Sequence, residues 1–487
     1  MYIISKDTII FEPKYNEHLD INFISQYINL IYQYKKIIFS DYQLNESIYN
    51  AYENNIFNEF EWVGSKFNQE VNMLPPLLTH LTFGYYFNQE VNFLPKLLTH
   101  LTFGSRFNQE VTKLPRLLTH LTFGRYFNQE VNMLPQLLTH LTFGYNFNQE
   151  VNMLPPLLTH LTFGYYFNQE VNMLPQLLTH LSFETTFNQE VNRLPQLLTH
   201  LTFGWYFNQE VNMLPPLLTH LTFGYEFNQE VVWLPRQLTH LTFGWYFNQE
   251  VSMLPHQLTH LTFGWNFNQE VGKLPRQITH LTFGCNFNKE VNLLPRQLTH
   301  LTFGDRFNKE VNWVTPLLTH LTFGVCFNQK VTKLPQLLTH LTFGYHFNQE
   351  VANLPQLLTH LTLGYEFNKT NIYLPLGIKY LKLYCNNSHI NFHIIAQLSS
   401  NMEVLELGWN FNLELNDLPT SIKKIIFDKD SKYNKELNCL PKFVEQIQLP
   451  IKYDKQIKNL PSKLKKVICS TEYKYIKDFN NFEVQIY

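Results

Sequence analysis

A period of twenty residues governs most of this chain and limits what it can fold into. From Phe67 to Phe367 the tetrapeptide FNQE, or a close variant of it, returns every twenty residues without insertion or deletion. A fixed period of this length predicts a solenoid of stacked turns, because one turn cannot bury its own apolar face. The apolar content of 44% is sufficient for a buried interior along such a stack.

One repeat, LLTHLTFGYYFNQEVNFLPK at residues 77–96, contains the signal of a short strand. Leu81 and Phe83 alternate with His80 and Thr82, which is the pattern of a strand with one buried face. The fifteen or so residues left in each repeat are too few for an ordinary helical crossover. The strands are therefore predicted to pair in parallel with those of the neighbouring turns.

The stacking of turns also predicts which positions form the interior. Each side chain lies about 4.8 Å from its copy in the next turn, so apolar positions become continuous columns. The predicted core columns begin at Leu78, Leu81, Phe83, Phe87, Val91 and Leu94. Gly84 and Pro95 mark bends. Asn88 and its copies are predicted to form a ladder of amide side chains that bond to loop backbone.

These residues carry a family resemblance. LTHLTFGxxFN followed by LPxxL resembles the FNIP repeat, a relative of leucine-rich repeats known mainly from amoebae and their giant viruses, and it recurs in register sixteen times over about residues 59–375. The units are about two residues shorter than usual, and FNQE replaces the typical FNQP. The resemblance implies a β-rich, leucine-rich-repeat-like solenoid, a right-handed coil with one parallel β-sheet and 20 residues per turn. It also implies protein binding, in some members together with an F-box that recruits a ubiquitin ligase.

The two ends of the chain depart from the repeat. Residues 1–58 are predicted to be a divergent, partly helical N-terminal cap, in which DINFISQYINLIYQY has apolar residues at the spacing of an amphipathic helix: Ile21, Ile24, Ile28 and Ile31. The leucine-proline opening and three-helix pattern of an F-box are not visible there. Residues 376–487 keep leucine-proline pairs and strand patterns, as in LPTSIKKIIF. They are predicted to be degenerate repeats with a C-terminal cap.

The outward-facing positions are nearly constant from repeat to repeat. They are therefore expected to stabilise the fold and not to select a partner. His80 and its copies up to His360 form a row of fifteen, but neighbouring turns offer no closed set of metal ligands, so no metal site is predicted. Mutual repulsion of stacked imidazolium groups predicts lowered histidine pKa values. The row that begins at Glu90 is expected on an exposed edge, because stacked like charges need solvent.

Variation concentrates at the two positions after the glycine. Tyr, Trp and Arg, the residue types that dominate binding hot spots, recur there, at the end of each strand where loops carry recognition. Around residues 233–297 the two residues after the proline of each repeat are Arg-Gln or His-Gln instead of the usual pair. The second of these positions, which is Leu77 in the first repeat, is predicted to be exposed because it accepts Gln. The predicted partner-binding residues are Trp205, Tyr206, Tyr225, Trp233, Trp245, Tyr246, Trp265, Arg236, Arg276 and Arg296. The alternative explanation is recent tandem duplication.

Composition narrows the function classes. A net charge of −2 and a pI near 6.9 give no case for nucleic acid or an anionic membrane. No apolar run could span a bilayer, and five scattered cysteines suit a reducing compartment, so a cytoplasmic location is expected, in the host cell if the protein is viral. No catalytic motif and no cofactor motif is present. We expect a non-enzymatic scaffold that binds a protein partner. A ubiquitin-ligase substrate receptor, bound to a ligase adaptor through a cryptic F-box-like N-terminus, and a carbohydrate-binding solenoid remain open.

Overall fold

The computed structural model describes residues 2–5, 7–17, 35–43, 51, 52, 54 and 61–487, apart from 252, 292, 312–314, 332 and 352. The chain divides into two compact units, Met1–Phe247 and Asn248–Tyr487. The helix predicted from Ile21 to Ile31 lies outside the described residues, as does most of the predicted N-terminal cap. The division into cap, repeats and degenerate repeats stays a prediction.

The first unit is built on short strands that each occupy the same place in the repeat. The described strands are β1 (Tyr2–Ser5), β2 (Thr8–Phe11), β3 (Lys36–Phe39), β4 (His80–Thr82), β5 (His100–Thr102), β6 (His120–Thr122), β7 (His140–Thr142), β8 (His160–Thr162), β9 (His180–Ser182), β10 (His200–Thr202), β11 (His220–Thr222) and β12 (His240–Thr242). From β2 onward they pair in parallel, and each residue faces its copy, as His200 faces His220. The parallel solenoid of about 20 residues per turn is thus confirmed.

The second unit continues this pattern into the degenerate sequence. Its described elements are β13 (His260–Thr262), β14 (His280–Thr282), β15 (His300–Thr302), β16 (His320–Thr322), β17 (His340–Thr342), β18 (His360–Leu363), β19 (Tyr380–Leu383), α1 (Ser388–Ile395), β20 (Val404–Leu407), β21 (Lys424–Phe427), β22 (Gln446–Gln448), β23 (Lys466–Cys469), a 3-10 helix (Ile476–Phe479) and β24 (Glu483–Ile486). All of the described pairings from β13 to β24 are parallel. The terminal leucine-proline segments are therefore further turns of the coil.

The N-terminus requires one correction to the prediction of a purely parallel sheet. β1 pairs with β2 in antiparallel register, Tyr2 opposite Phe11 and Ser5 opposite Thr8. Only two residues connect these strands, and so short a connection allows only an antiparallel hairpin.

The interior consists of the predicted columns. In the turn that begins at Leu78, all six predicted core residues are buried, and their copies repeat this burial in nearly every turn. The phenylalanine rings form two stacks: the centroids of Phe83 and Phe87 lie 3.7 Å apart within one turn, and Phe83 lies 5.8 Å from Phe103 in the next. Aromatic stacking and apolar burial together stabilise the turn-to-turn contact.

The glycine after each strand is required by close approach of backbone to backbone. A Cβ atom placed on Gly104 would lie 1.9 Å from the carbonyl oxygen of Gly84 in the preceding turn, and the same overlap recurs at Gly124 and Gly144. The column of glycines therefore allows the turns to stack closely at this corner.

The asparagine after the second phenylalanine forms the predicted ladder. The side-chain oxygen of Asn88 accepts a hydrogen bond of 2.9 Å from the backbone N–H of Asn108, and Asn108 accepts one of 2.8 Å from Asn128. Each amide thus satisfies a loop N–H that the short strands leave without a backbone partner.

Removal of one ladder amide is expected to cost stability. Asn108→Ala deprives the Asn128 N–H of its acceptor, and we expect a loss of about 1–2 kcal/mol in the free energy of unfolding. Asn132→Ala is the matched control, because its side chain bonds only to the exposed Glu130 carboxylate, at 3.3 Å; its expected loss is below about 0.5 kcal/mol. Urea denaturation of both variants measures the difference, and equal losses would contradict the ladder's structural role.

Candidate interaction surface

The two variable positions after each glycine form a continuous edge of the coil, here called the rim. In the first unit the rim residues are Tyr85, Tyr86, Ser105, Arg106, Arg125, Tyr126, Tyr145, Asn146, Tyr165, Tyr166, Thr185, Thr186, Trp205, Tyr206, Tyr225, Glu226, Trp245 and Tyr246. Backbone hydrogen bonds join them from turn to turn: the N–H of Arg106 donates to Tyr85 O at 2.9 Å, and the N–H of Tyr206 donates to Thr185 O at 2.8 Å. The rim backbone is therefore fixed, and its side chains are the part that varies.

The aromatic rim residues of the first unit stack on one another. The rings of Trp205 and Tyr225 are stacked with centroids 4.1 Å apart, and Tyr225 and Trp245 are stacked at 5.1 Å. Tyr246 meets the Tyr225 ring edge-on, also at 5.1 Å. Trp205 nevertheless remains 47% exposed and Trp245 36%. The stack thus holds these side chains in place and leaves them partly exposed.

Two arginines belong to this surface although the sequence-based site set omitted them. The guanidinium carbon of Arg125 lies 4.6 Å from the centre of the Tyr145 ring, and that of Arg106 lies 5.7 Å from Tyr85 and 5.8 Å from Tyr126. Cation–π contact of this kind is favourable at exposed sites by about 0.5–1 kcal/mol. An arginine at a position where neighbouring turns place tyrosine is the sequence signal that could have identified them.

The other predicted site residues lie on the return path or belong to the second unit. Trp233 lies on the return path of its turn, 68% exposed, in the column that holds Met213 one turn earlier, and within the described residues it makes no ring contact with the rim. Arg236 is exposed on the same return path, two residues before the buried Leu238. Trp265, Arg276 and Arg296 are exposed residues of the second unit. Trp205, Tyr206, Tyr225, Trp245 and Tyr246 are the members of the predicted set that share the rim of the first unit.

The histidines form a stacked ladder on the outer face of the strands. The rings of His80 and His100 lie 4.1 Å apart with an angle of 11° between their planes. The hydroxyl of Thr99 donates to Thr79 O at 3.1 Å and lies 2.9 Å from Nδ1 of His100. Since its proton is engaged by the carbonyl, the hydroxyl accepts from Nδ1–H of His100, and Nε2 is then the unprotonated nitrogen of the neutral ring.

Burial lowers the pKa of nine of the ladder histidines. For His100 the pKa falls to about 4, first because partial burial disfavours the charged ring and second because His80, His140 and Lys36 add positive charge nearby. The predicted direction is confirmed, but the sequence argument named only the second cause. The pKa is also lowered, again by burial first, in His120, His140, His180, His200, His300, His320, His340 and His360.

The remaining polar features concern the histidine, cysteine and acidic side chains of the described residues. There, no group of three or more His, Cys, Asp or Glu side chains is placed to hold a metal ion. The glutamate row lies on an exposed edge, as predicted. The five cysteines form no disulfide. Within the part of the chain that the structure describes, no helix is long and apolar enough to cross a membrane.

A charged cluster in the second unit was not predicted. At the place that threonine occupies before each histidine, the degenerate turns alternate lysine and glutamate: Lys423 lies 2.8 Å from Glu403, and Lys465 lies 2.7 Å from Glu445. Phe443 and these side chains line an open pocket of about 600 Å³. The hydrogen bond from Lys423 lowers the pKa of Glu403. The alternation of lysine and glutamate at intervals of 20 to 24 residues was the signal in the sequence.

The fold and the repeating rim define a solenoid of the leucine-rich-repeat type, an architecture typical of protein-interaction scaffolds. The family model of the FNIP Repeat matches this chain in overlapping segments from residue 67 to 306 and again over 327–366. The chain therefore belongs to the FNIP repeat family.

A solved structure agrees with this assignment. The chain is similar to CroV588, a circular LRR protein from a giant virus, with 36% identity, a TM-score of 0.71, and coverage of 97% of this chain and 77% of that one. It also aligns with YopM from Yersinia enterocolitica at 18% identity and a TM-score of 0.46, over 81% of this chain and 88% of YopM. No curated protein matches the chain.

Proposed function

We propose that this chain is a non-enzymatic scaffold in the cytoplasm that binds a protein partner through the aromatic rim of its first unit. The observation that carries the proposal is the stack of Trp205, Tyr225 and Trp245, whose members are held by one another and yet remain accessible. A preordered aromatic surface loses little side-chain entropy on binding, and Trp and Tyr are the commonest anchors of interfaces. Leucine-rich-repeat-like folds generally bind proteins and are generally not enzymes.

The same geometry bears on the carbohydrate alternative. A sugar ring packs on an open aromatic face, but Tyr225 has Trp205 on one side and Trp245 on the other. Tyr225 therefore offers its edges where a sugar needs an open face, which favours a protein partner at the centre of the stack. The ubiquitin-ligase alternative depends on residues 1–60, which the structure describes only in part, and no observation favours it.

The proposed interface can be tested by capture with matched variants. The full chain serves as bait in host-cell lysate, and recovered proteins are quantified by mass spectrometry. We expect one protein to be enriched by the wild type and to fall about tenfold or more with Trp205→Ala/Trp245→Ala, since each anchor contributes at least about 1 kcal/mol. Phe93→Ala is the control, because Phe93 is an aromatic residue 70% exposed on the return path. Equal recovery with both variants would contradict a rim interface.

A further inference from the structure

One turn of the first unit interrupts both the rim and the glycine column. Its sequence, LSFETTFNQE at residues 181–190, places Glu184 where the preceding and following turns have glycine, and Thr185 and Thr186 where they have aromatic residues. We propose that this interruption, here called the notch, binds the guanidinium group of an arginine side chain from the partner protein. The proposal rests on the scaffold function above and specifies the chemistry of one contact.

The shape of the notch is that of a single missing ring. Tyr145 and Tyr165 are stacked at 4.3 Å before it, and Trp205 and Tyr225 are stacked at 4.1 Å after it. Among the described residues no ring contact joins Tyr165 to Trp205, because the turn between them supplies only threonines. Two turns of about 4.8 Å separate the flanking positions. A planar group that enters there can contact rings on both sides, as Tyr225 does between its neighbours.

The rim itself shows which planar group fits such a break. The first rim position of this unit lacks an aromatic residue in two other turns, at Ser105 and Arg125. In both, a guanidinium group of the chain lies over the neighbouring rings: Arg106 over Tyr85 and Tyr126, and Arg125 over Tyr145. The turn with Thr185 has no arginine at either of its rim positions, Thr185 and Thr186. The same contact is therefore available to an arginine from outside.

Glu184 supplies the charge that favours a cation in the notch. Its side chain is exposed and immediately precedes Thr185, and within the described residues no ion pair involves it. A carboxylate beside aromatic rings selects a guanidinium, which can stack on the rings and donate two parallel hydrogen bonds to the carboxylate. A neutral aromatic group would gain the stacking only.

Glu184 is also an unfavourable residue for the fold at this position. A Cβ on Gly204 would lie 1.3 Å from the carbonyl oxygen of Glu184, whereas the corresponding distance from Gly164 to Gly144 O is 2.0 Å. The carbonyl oxygen of Glu184 thus lies closer to the following turn than that of Gly144 does. The backbone must shift in this direction to make room for a side chain in the glycine column. In natural proteins, a residue that is unfavourable for the local structure is expected at functional positions.

The test uses the full chain and a small probe, N-acetylarginine amide, followed by saturation-transfer NMR. We expect saturation of the probe's side-chain methylene protons, and roughly threefold or more weaker binding of the citrulline analogue, which has the same shape without the charge. Glu184→Gln is expected to weaken arginine-probe binding by a similar factor, and Thr185→Tyr, which restores the missing ring, to abolish it. Equal binding of the arginine and citrulline probes, or binding unchanged in both variants, overturns the proposal.

Two further readouts separate the possible failures. Glu184→Gly is expected to raise the urea midpoint while it weakens binding of the arginine probe, so loss of binding is not loss of folding. If the probe does not bind but capture still depends on Trp205 and Trp245, the notch is wrong and the scaffold function stands. If the probe binds as expected but capture does not depend on the rim, the scaffold function is wrong.

Discussion

Gly284→Ala is expected to destabilise the second unit by about 3 kcal/mol, whereas Gly272→Ala is expected to leave it unchanged or slightly more stable. A Cβ on Gly284 would lie 1.7 Å from the carbonyl oxygen of Gly264 and 2.4 Å from its carbonyl carbon. These are backbone atoms that cannot rotate away, so whole turns must separate. No atom lies within 4 Å of the corresponding position on Gly272.

Hydrogen exchange of the native full chain gives the local measurement that this comparison needs. In a repeat protein the loss of one contact opens the adjacent turns first, so peptides from residues 260–300 should exchange faster in Gly284→Ala. The two substitutions make the same chemical change within one unit, which removes the intrinsic preference of alanine from the comparison. Similar exchange in both variants would show that the stacking distance at the glycine column does not limit stability.

The period of the sequence was enough to predict the interior. Because parallel turns place each residue beside its own copy, a column such as Phe87 and Phe107 follows from one assumption about pairing. The same reasoning predicted the asparagine ladder and the exposed Leu77, which is 51% accessible. In the degenerate region the leucine-proline pairs before Ile425 and Val467 were sufficient to indicate further strands.

Features that depend on distances between different columns could not be predicted in this way. The recurrence of glycine is visible in the sequence, but its cause, the approach of Gly84 O to Gly104, is a property of the backbone path. Trp233 and Trp245 were placed in one predicted set, but the structure shows that Trp233 lies on the return path and makes no ring contact with the rim among the described residues. The arginine contacts likewise required the direction in which the rim side chains turn.

Acidification from pH 7.5 to 5.5 is expected to lower stability through the histidine ladder. In the unfolded chain a histidine titrates near pH 6.5, whereas in the fold the pKa of His100 is about 4 and that of eight other ladder histidines is also lowered. The stability of the neutral ladder is complete above pH 6.5. It decreases as the pH falls below that value, because the unfolded state then binds protons that the folded state does not.

The size of the effect follows from the number of rings. Each histidine whose proton uptake is suppressed in the fold would contribute at most about 1.4 kcal/mol per pH unit. Because the rings are partly exposed, solvent screening reduces this several-fold, which leaves about 2–3 kcal/mol for the ladder. The Thr99 hydroxyl contact survives protonation, since Nδ1 already donates and the new proton binds Nε2. The cost therefore comes from placing charge in a partly buried stack beside other charges, with Lys36 and Lys379 adding to it at the two ends.

Urea midpoints at the two pH values measure this loss, and two triple variants identify its source. Conversion of His120, His140 and His180 to glutamine removes three titrating rings from one unit and keeps an N–H that can donate to threonine. The urea midpoint of this variant is expected to depend less on pH than that of the wild type. Conversion of Glu130, Glu150 and Glu170 to glutamine should leave the dependence unchanged, because carboxylates titrate mainly below this range. Equal midpoints for the wild type at both pH values would mean that the ladder accepts protons without cost, contrary to the burial of its rings.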